Sequence, residues 1–457
     1  MSKTSFKTTY EWNTIPWAKV QRVVFKLQNR IYQAVKSGHN AKARNLQKLL
    51  RKSYYSKLLA VRKVTQDNAG KKTAGVDGVK SLTPKQRFNL VEELSQYHKS
   101  KPLRRVWIPK ANGEKRPLGI PTMRDRAKQA LVKLVLEPYW EAKFEGTSYG
   151  FRPARSTHDA VARIYTAINR GAKWVLDADI SKCFDKINHD YLLNKLDSPY
   201  SIRRDVKQWL NVGVMDKGIF EKTSSGTPQG GVISPLLANI ALDGLIRDIK
   251  AKFPNKQGKN AQVSPVIIRY ADDFVVLHKD LKVVQQCKIA LEEWLKPVGL
   301  ELNPEKTRIC HTLKGKDAGF DFLGFNIRSY PVGRNRSAKT STGRILGFKT
   351  LIKPSSKAIK AHHEAIKQVI KTHKTSPQET VIKRLNSIIR GWCNYYSGVA
   401  SKETFSSEDN LLWSQLRAWT VSRTGKANYK KLSNYFSYGK HGAWTFQTKG
   451  GATFSNN

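Results

Sequence analysis

The period of the apolar positions changes several times along this chain, and each change marks a predicted element. Within residues 17–65, Leu46, Leu49, Leu50 and Leu58 recur at helical spacing among basic residues, so the segment reads as helical. A second amphipathic helix is expected over residues 124–141, with Ala127, Leu131, Leu134 and Val135 on one face. Ser234-Pro235 reads as a helix start, with Ser as N-cap and Pro at the first helical position. Leu236, Leu237, Ile240 and Ile246 would follow on that helix. Residues 356–371 and 377–396 read as two further helices, broken at Thr375-Ser-Pro377. Residues 254–260 read as a polar loop, and residues 331–345, rich in Arg, Ser, Gly and Thr, as a linker.

Two stretches are strand-like and carry acid. Over residues 174–185, Asp177, Asp179 and Ser181 fall on one face and Leu176, Ala178 and Ile180 on the other. A strand that presents carboxylates instead of a clean apolar face needs a reason. Further on, Val266, Ile267 and Ile268 precede Arg269-Tyr-Ala-Asp-Asp273, and Phe274, Val275, Val276 and Leu277 follow. Two short β-branched runs predict a hairpin. Asp272 and Asp273 would then lie at its turn, where nothing buries them and their charges need a cation. In isolation such a pair is also an ordinary polar turn. With Asp179 on a second strand, the pattern fits two-metal nucleotidyl transfer, in which carboxylates from separate elements converge on two cations about 3.5–4 Å apart. Hard oxygen ligands suit Mg²⁺, which leaves positions open for phosphates.

Charge supplies the partner class. The chain of 457 residues has 82 Lys+Arg against 35 Asp+Glu, a formal charge of +47, which makes a large polyanion the expected partner. Residues 1–130 carry 30 basic and 7 acidic side chains, and residues 331–457 carry 22 and 5. Residues 131–330 carry 30 and 23, so the acidic strands lie in a nearly balanced middle between two basic flanks. The N-terminus lacks the apolar core of a secretory signal, and no run approaches the ~18 apolar residues of a membrane span. Cys183, Cys287, Cys310 and Cys393 are far apart, which argues for reduced thiols and against a structural zinc site.

Eight blocks then occur in order: Thr73-Ala-Gly-Val-Asp-Gly78; Trp107-Ile-Pro-Lys110 with Lys115-Arg-Pro-Leu-Gly-Ile-Pro121; Ser148-Tyr-Gly-Phe-Arg-Pro153; Asp177-Ala-Asp-Ile-Ser-Lys-Cys-Phe-Asp185; Gly226-Thr-Pro-Gln-Gly-Gly-Val-Ile-Ser-Pro-Leu236; Tyr270-Ala-Asp-Asp273; Leu302-Asn-Pro-Glu-Lys-Thr307; and Phe322-Leu-Gly-Phe325. Gly391-Trp-Cys-Asn-Tyr-Tyr396 follows them. In these residues the chain resembles the group II intron reverse transcriptases of the intron-encoded maturase type, and the last block separates that family from retroviral and retron-like enzymes.

The resemblance implies an α+β right-hand polymerase fold. Fingers and palm would occupy residues 1–335, with a basic extension over about 1–65. A helical thumb or maturase domain would occupy 346–400, and a short basic DNA-binding-like region 405–457. Asp179, Asp272 and Asp273 become the catalytic metal ligands for two Mg²⁺, with Mn²⁺ able to substitute. Lys110 and Arg116 would clamp the incoming triphosphate, Phe184 would meet the sugar, and Gln229 would line the nucleotide and template pocket. Lys306 is a candidate proton donor to pyrophosphate, and Phe322, Leu323 and Gly324 form the primer grip. Trp392, Tyr395 and Tyr396 read as a core face or as a stacking platform, with Lys383, Arg384 and Arg390 contacting RNA phosphates nearby. The expected partners are intron RNA, a DNA target and primer, and dNTPs, in a bacterial cytoplasm and at the nucleoid during mobility. No membrane partner is expected. The lack of clustered Cys and His predicts that a zinc-supported endonuclease is missing. Two alternatives stay open: a splicing maturase with a silent polymerase site, and a reverse transcriptase domesticated for defence or CRISPR adaptation.

Overall fold

The computed structural model describes residues 11–109, 113–227, 230–255, 263–340, 342–425, 433–438 and 444–448. The chain divides into two units, Met1–Ala160 with Leu176–Arg308, and Val161–Val175 with Ile309–Asn457.

The first unit opens with α1 (Trp17–Lys36), α2 (Asn40–Lys52) and α3 (Tyr54–Arg62). Leu46, Leu50 and Leu58 are buried as their spacing predicts, but Leu49 is 52% exposed. It lies about 100° round the helix from Leu50, off the buried stripe. Then comes α4 (Pro84–Glu93), started by a reciprocal cap: the Thr83 hydroxyl accepts from the Gln86 N–H, and the Gln86 side chain accepts from the Thr83 N–H. Strands β1 (Leu103–Pro109) and β2 (Lys115–Ile120) form a hairpin.

Next is α5 (Met123–Glu141), the helix expected to be amphipathic. It is instead buried on most sides, because α1, α2 and α3 pack on it. Its buried cations find partners inside the protein. Arg126 donates to the Gly70 and Thr73 carbonyls at 2.9 and 2.6 Å, and Lys128 pairs with buried Asp205 at 3.0 Å. Arg51 of α2 reaches the same aspartate at 2.5 Å.

The chain continues through α6 (Thr157–Ile168), β3 (Trp174–Asp179), α7 (Cys183–Lys186), α8 (His189–Lys195), α9 (Tyr200–Leu210), β4 (Val214–Asp216) and β5 (Ile219–Glu221). One sheet has the order β2-β1-β4-β5, with β1 parallel to β4 and the other pairs antiparallel. After α10 (Ser234–Leu242) and α11 (Leu245–Lys252) come β6 (Val266–Tyr270), β7 (Asp273–His278) and α12 (Leu281–Leu295). Two expectations fail at α10. Ser234 is its first helical residue, with Ile233 at the cap position and no side-chain capping bond. Ile246 lies on α11, because extended Asp243 and Gly244, at φ +90°, break the run.

Next is β8 (Arg308–His311), whose first residue ends the first unit; the second unit goes on with β9 (Phe320–Phe322), β10 (Phe325–Pro331) and β11 (Phe348–Pro354), then α13 (Ser356–Thr372), α14 (Gln378–Tyr396), α15 (Lys402–Thr424) and the hairpin β12 (Phe436–Tyr438) and β13 (Trp444–Phe446). Strands β11-β10-β9 form an antiparallel sheet. Residues 331–345, expected as a linker, are the connection of the β10–β11 hairpin, whose seven-residue register runs from Phe325↔Pro354 to Pro331↔Phe348. The two predicted helices over 356–371 and 377–396 are α13 and α14, and with α15 they bury Ile366, Val381, Leu385, Ile389, Leu416 and Trp419. All four cysteines are buried and none is in a disulfide. Among the described residues no helix is long and apolar enough to cross a membrane.

Candidate active site

The fourth sheet has the order β6-β7-β3-β8. Strands β6 and β7 pair from Val266↔Leu277 to Tyr270↔Asp273, which leaves Ala271 and Asp272 as a two-residue turn. Ala271 has φ +58°, a left-handed value that such turns require. The turn rests on the Ser148-Tyr-Gly-Phe-Arg-Pro segment. A Cβ on Gly150 would come within 2.4 Å of the Ala271 nitrogen, so only glycine fits there. Arg152 fixes that segment by pairing with Glu141 and donating to the Glu145 and Ser148 carbonyls at 2.7 and 2.6 Å.

Backbone bonds bring the end of β3 to this turn. The Ile180 N–H donates to the Asp272 carbonyl at 3.3 Å, and the Asn303 N–H donates to the Asp179 carbonyl at 2.8 Å. Asn303 also closes a local turn, its side chain accepting from the Glu305 N–H at 3.1 Å. That turn delivers Lys306, whose Nζ donates to Asp179 Oδ2 at 2.7 Å. Arg308 pairs with Asp177 at 3.3 Å in the same way.

The carboxylates crowd one another. Burial pushes the Asp272 pKa up, the charge of Asp179 adds to the effect, and Arg116 and Lys306 oppose it. Asp273 is pushed up to about 7, first by burial, then by Asp272 and Asp179, the latter within hydrogen-bonding reach. Lys306 is shifted upward by its bond to Asp179. The acidic pair is therefore half-buried, where the sequence placed it at an open turn. The strands and the Ser148–Pro153 segment enclose it, which periodicity could not show.

Among the described residues no three His, Cys, Asp or Glu side chains close into a ready-made metal cage. The donor set still fits Mg²⁺, which is bound through one or two carboxylates with phosphate and water completing its shell. Partly buried carboxylates that resist ionising together, one of them drawing in an ammonium, are what such a half-site should show.

Phe184 stands on α7, edge-on to Phe151 with ring centroids 6.2 Å apart. It lines a cleft of about 230 Å³ with Arg105, Gly119, Asp185, Gly226 and Thr227. The Thr227 N–H donates to the Phe184 carbonyl, and a Cβ on Gly226 would meet the Asp185 backbone at 2.6 Å. Arg116 is exposed on β2. Lys110 and Gln229 lie outside the described residues.

In the second unit Phe322 is buried, and Leu323 and Gly324 form the turn between β9 and β10 with φ +52° and +83°. Tyr395 donates its hydroxyl to the Leu323 carbonyl at 2.9 Å, and Tyr396 to the Gly324 carbonyl at 3.0 Å. Phe325 stacks on Tyr395. Trp392 stacks on buried His362 at 4.3 Å, and burial pushes that histidine down to about 4. Of the two readings of these aromatics, packing describes their contacts, and their spacing carries no sign of the hydroxyl bonds. Lys383, Arg384 and Arg390 are exposed on α14, Lys383 pairing with Glu379 at 2.7 Å. Arg269 is a further residue for which the sequence suggested no role: it is wholly buried and donates to the Ala271 carbonyl of the β6–β7 turn.

Comparison with known proteins gives three family matches: the N-terminal domain of reverse transcriptase over residues 12–94, reverse transcriptase (RNA-dependent DNA polymerase) over 108–327, and the group II intron maturase-specific domain over 359–436. Protein YkfC of Escherichia coli is 35% identical, over 62% of this chain and 83% of its own length. Group II intron-encoded protein LtrA of Lactococcus lactis is 29% identical, over 82% of this chain and 74% of its own. Maturase-like protein 1 of Euglena gracilis is 27% identical, over 95% and 93%.

Proposed function

The chain belongs to the family of group II intron-encoded reverse transcriptases and maturases; it is an RNA-directed DNA polymerase with a splicing role, and we propose that Asp179, Asp272 and Asp273 form its polymerising centre. The observation that carries this reading is the crowding of those carboxylates around the β6–β7 turn, which raises Asp272 and Asp273 together. The reverse transcriptase match implies the right-hand fold. In that frame the carboxylate sheet is the palm, the β2-β1-β4-β5 sheet with the N-terminal helices is the fingers, and residues 346–400 are the thumb, followed by a basic region over 405–457.

The reaction joins a primer to a deoxynucleotide. The primer 3′-oxygen attacks the α-phosphorus, the new O–P bond forms as the bond to the β-phosphate oxygen breaks, and pyrophosphate leaves. Two Mg²⁺, when bound, supply the positive charge that this crowded acid lacks. Asp179, Asp272 and Asp273 would hold them. Lys306, drawn to Asp179, keeps its proton and offers it at Nζ to the departing pyrophosphate. Arg116 provides a planar fork for the triphosphate, with Lys110 as a point charge beside it. Phe184 excludes a 2′-hydroxyl, Gln229 lines the nucleotide pocket, and Phe322, Leu323 and Gly324 grip the primer end. Lys383, Arg384 and Arg390 meet phosphates of the intron RNA, with DNA and primer as further partners.

The test is primer extension on an RNA template by Asp272→Asn. Extension should fall by about four orders of magnitude or to background, since the carboxylate acts in the transition state. RNA binding and splicing assistance should persist, because neither uses the carboxylate. Wild-type extension by the variant removes the assignment.

A further inference from the structure

Directly beneath the catalytic turn lies a cation that no carboxylate neutralises at contact. Arg269 is 0% exposed. Its Nη1 donates to Asn239 Oδ1 at 3.1 Å and to the Ala271 carbonyl at 2.9 Å, and its Nη2 donates to Ser148 Oγ at 2.8 Å. Its Nε has no hydrogen-bond partner. Among the described residues its side-chain bonds go to uncharged acceptors, and Glu145 and Asp243 act on it only through space. Burying an unpaired guanidinium is expensive, so the fold must gain something specific from this one.

The gain is visible in what the fork joins. Its three acceptors belong to three segments: Asn239 on α10, Ser148 in the loop under the hairpin, and Ala271 in the turn itself. Asn239 tightens the same knot by donating Nδ2 to the Gly150 carbonyl at 2.8 Å. Gly150 in turn is pressed against the Ala271 nitrogen. Ala271 is held at φ +58°, where an alanine is strained, and its carbonyl is fastened by Arg269. The peptide after Ala271 carries Asp272. Rotation of that peptide would swing Asp272 away from Asp179, to which its backbone is tied through the Ile180 N–H.

We propose that Arg269 is a positioning residue for the polymerising centre: its buried fork fixes the left-handed Ala271 turn and thereby the separation of the carboxylates that take divalent metal. The inference rests on the reading that Asp179, Asp272 and Asp273 are those ligands. A lysine cannot replace the fork, because one ammonium cannot span three acceptors in this planar arrangement. Support of this kind behind metal ligands typically alters affinity by about 10–100-fold.

The experiment measures Mn²⁺ binding to the full chain by electron paramagnetic resonance of the free ion, without nucleotide, alongside single-nucleotide kcat and KM. Arg269→Lys keeps the charge and loses the fork. Ser148→Ala removes one arm with little volume change and serves where Arg269→Lys does not fold. Both should weaken Mn²⁺ binding, by about 10-fold or more for Arg269→Lys and less for Ser148→Ala. Both should lower kcat, with the dNTP KM and the primer-template Kd in EDTA within about twofold of wild type. Folded variants with wild-type Mn²⁺ affinity and kcat overturn the inference, as does a loss confined to thermal stability. Asp272→Asn separates the two levels of the argument. If it leaves Mn²⁺ binding intact, the parent reading fails; if it loses Mn²⁺ while both other variants retain it, only the role of Arg269 fails.

Discussion

Single side chains carry the chemistry, and two of them make sharp predictions. Phe184 stands on a one-turn helix beside the cleft, anchored through its carbonyl to Thr227. If its ring excludes the 2′-hydroxyl, Phe184→Val should raise ribonucleotide use, seen as a fall of about 10-fold or more in the ratio of kcat/KM for dNTP over NTP. An unchanged ratio reduces Phe184 to packing against Phe151. Asp273 predicts a pH dependence. Its folded pKa of about 7 lies above the ordinary value, so between about pH 4 and pH 7 the folded state keeps a proton that the unfolded chain has lost. The stability this contributes is complete below about pH 4 and is lost as pH rises through 7. In EDTA, the melting temperature of wild type should therefore fall more steeply between about pH 4 and pH 7 than that of Asp273→Asn. Parallel slopes would show that Asp273 is not perturbed. Asp179, Asp272 and Asp273 could be singled out in the sequence because acid on one face of a strand accompanies a second acidic pair at a turn; the pair alone reads as an ordinary polar turn. Their burial was not, since it comes from residues 148–153, over a hundred positions earlier. Arg269 was invisible for the same reason: a cation beside two acids in sequence looks like their counter-charge, whereas it faces away, into Asn239 and Ser148.

Elements fix where those side chains meet. Some helices and strands were readable from period alone, as α13, α14 and the β6–β7 hairpin show, while others, such as α15, were not read. Breaks were harder. Gly244 ends α10 early, and nothing in the apolar spacing of Leu236, Ile240 and Ile246 announces it. The stretch 331–345 has the composition of a linker yet lies within one hairpin, because only the pairing of its flanks distinguishes the two. The β9–β10 turn gives the prediction at this scale. Its carbonyls accept the Tyr395 and Tyr396 hydroxyls, and each such bond contributes about 0.5–1.5 kcal/mol. Tyr395→Phe with Tyr396→Phe should loosen the turn, raise the KM for primer-template and leave the dNTP KM unchanged. Equal effects on both constants, or on neither, would detach the tyrosines from the primer grip. Gly324→Ala should do more damage, since its Cβ would sit 2.9 Å from the Tyr396 hydroxyl at φ +83°.

At the scale of the whole molecule, charge and chain order dominate. The excess of Lys and Arg lies in the two flanks, and the acids proposed for polymerisation lie in the balanced middle. Binding to intron RNA should thus weaken steeply with salt, each neutralised phosphate adding about 0.7–0.9 to the slope of log K against log salt. Reversing Lys383, Arg384 and Arg390 should flatten that slope and impair splicing more than nucleotide addition on a short annealed primer. Equal losses would argue against an RNA-docking role for α14. The division of the chain was not legible, because no composition shift marks residues 161–175, yet they belong with residues 309–457. That interleaving reaches back to synthesis. The ribosome releases Val161, Ile164 and Ile168, all buried in the finished protein, more than 130 residues before Ile309 and the rest of their unit exist. During that interval, seconds at ordinary elongation rates, residues 309 onward of their own unit do not yet exist. The protein is born with an apolar segment waiting, so a nascent chain stalled before residue 309 should be a client for chaperones, and neither unit can be released as one uninterrupted fragment.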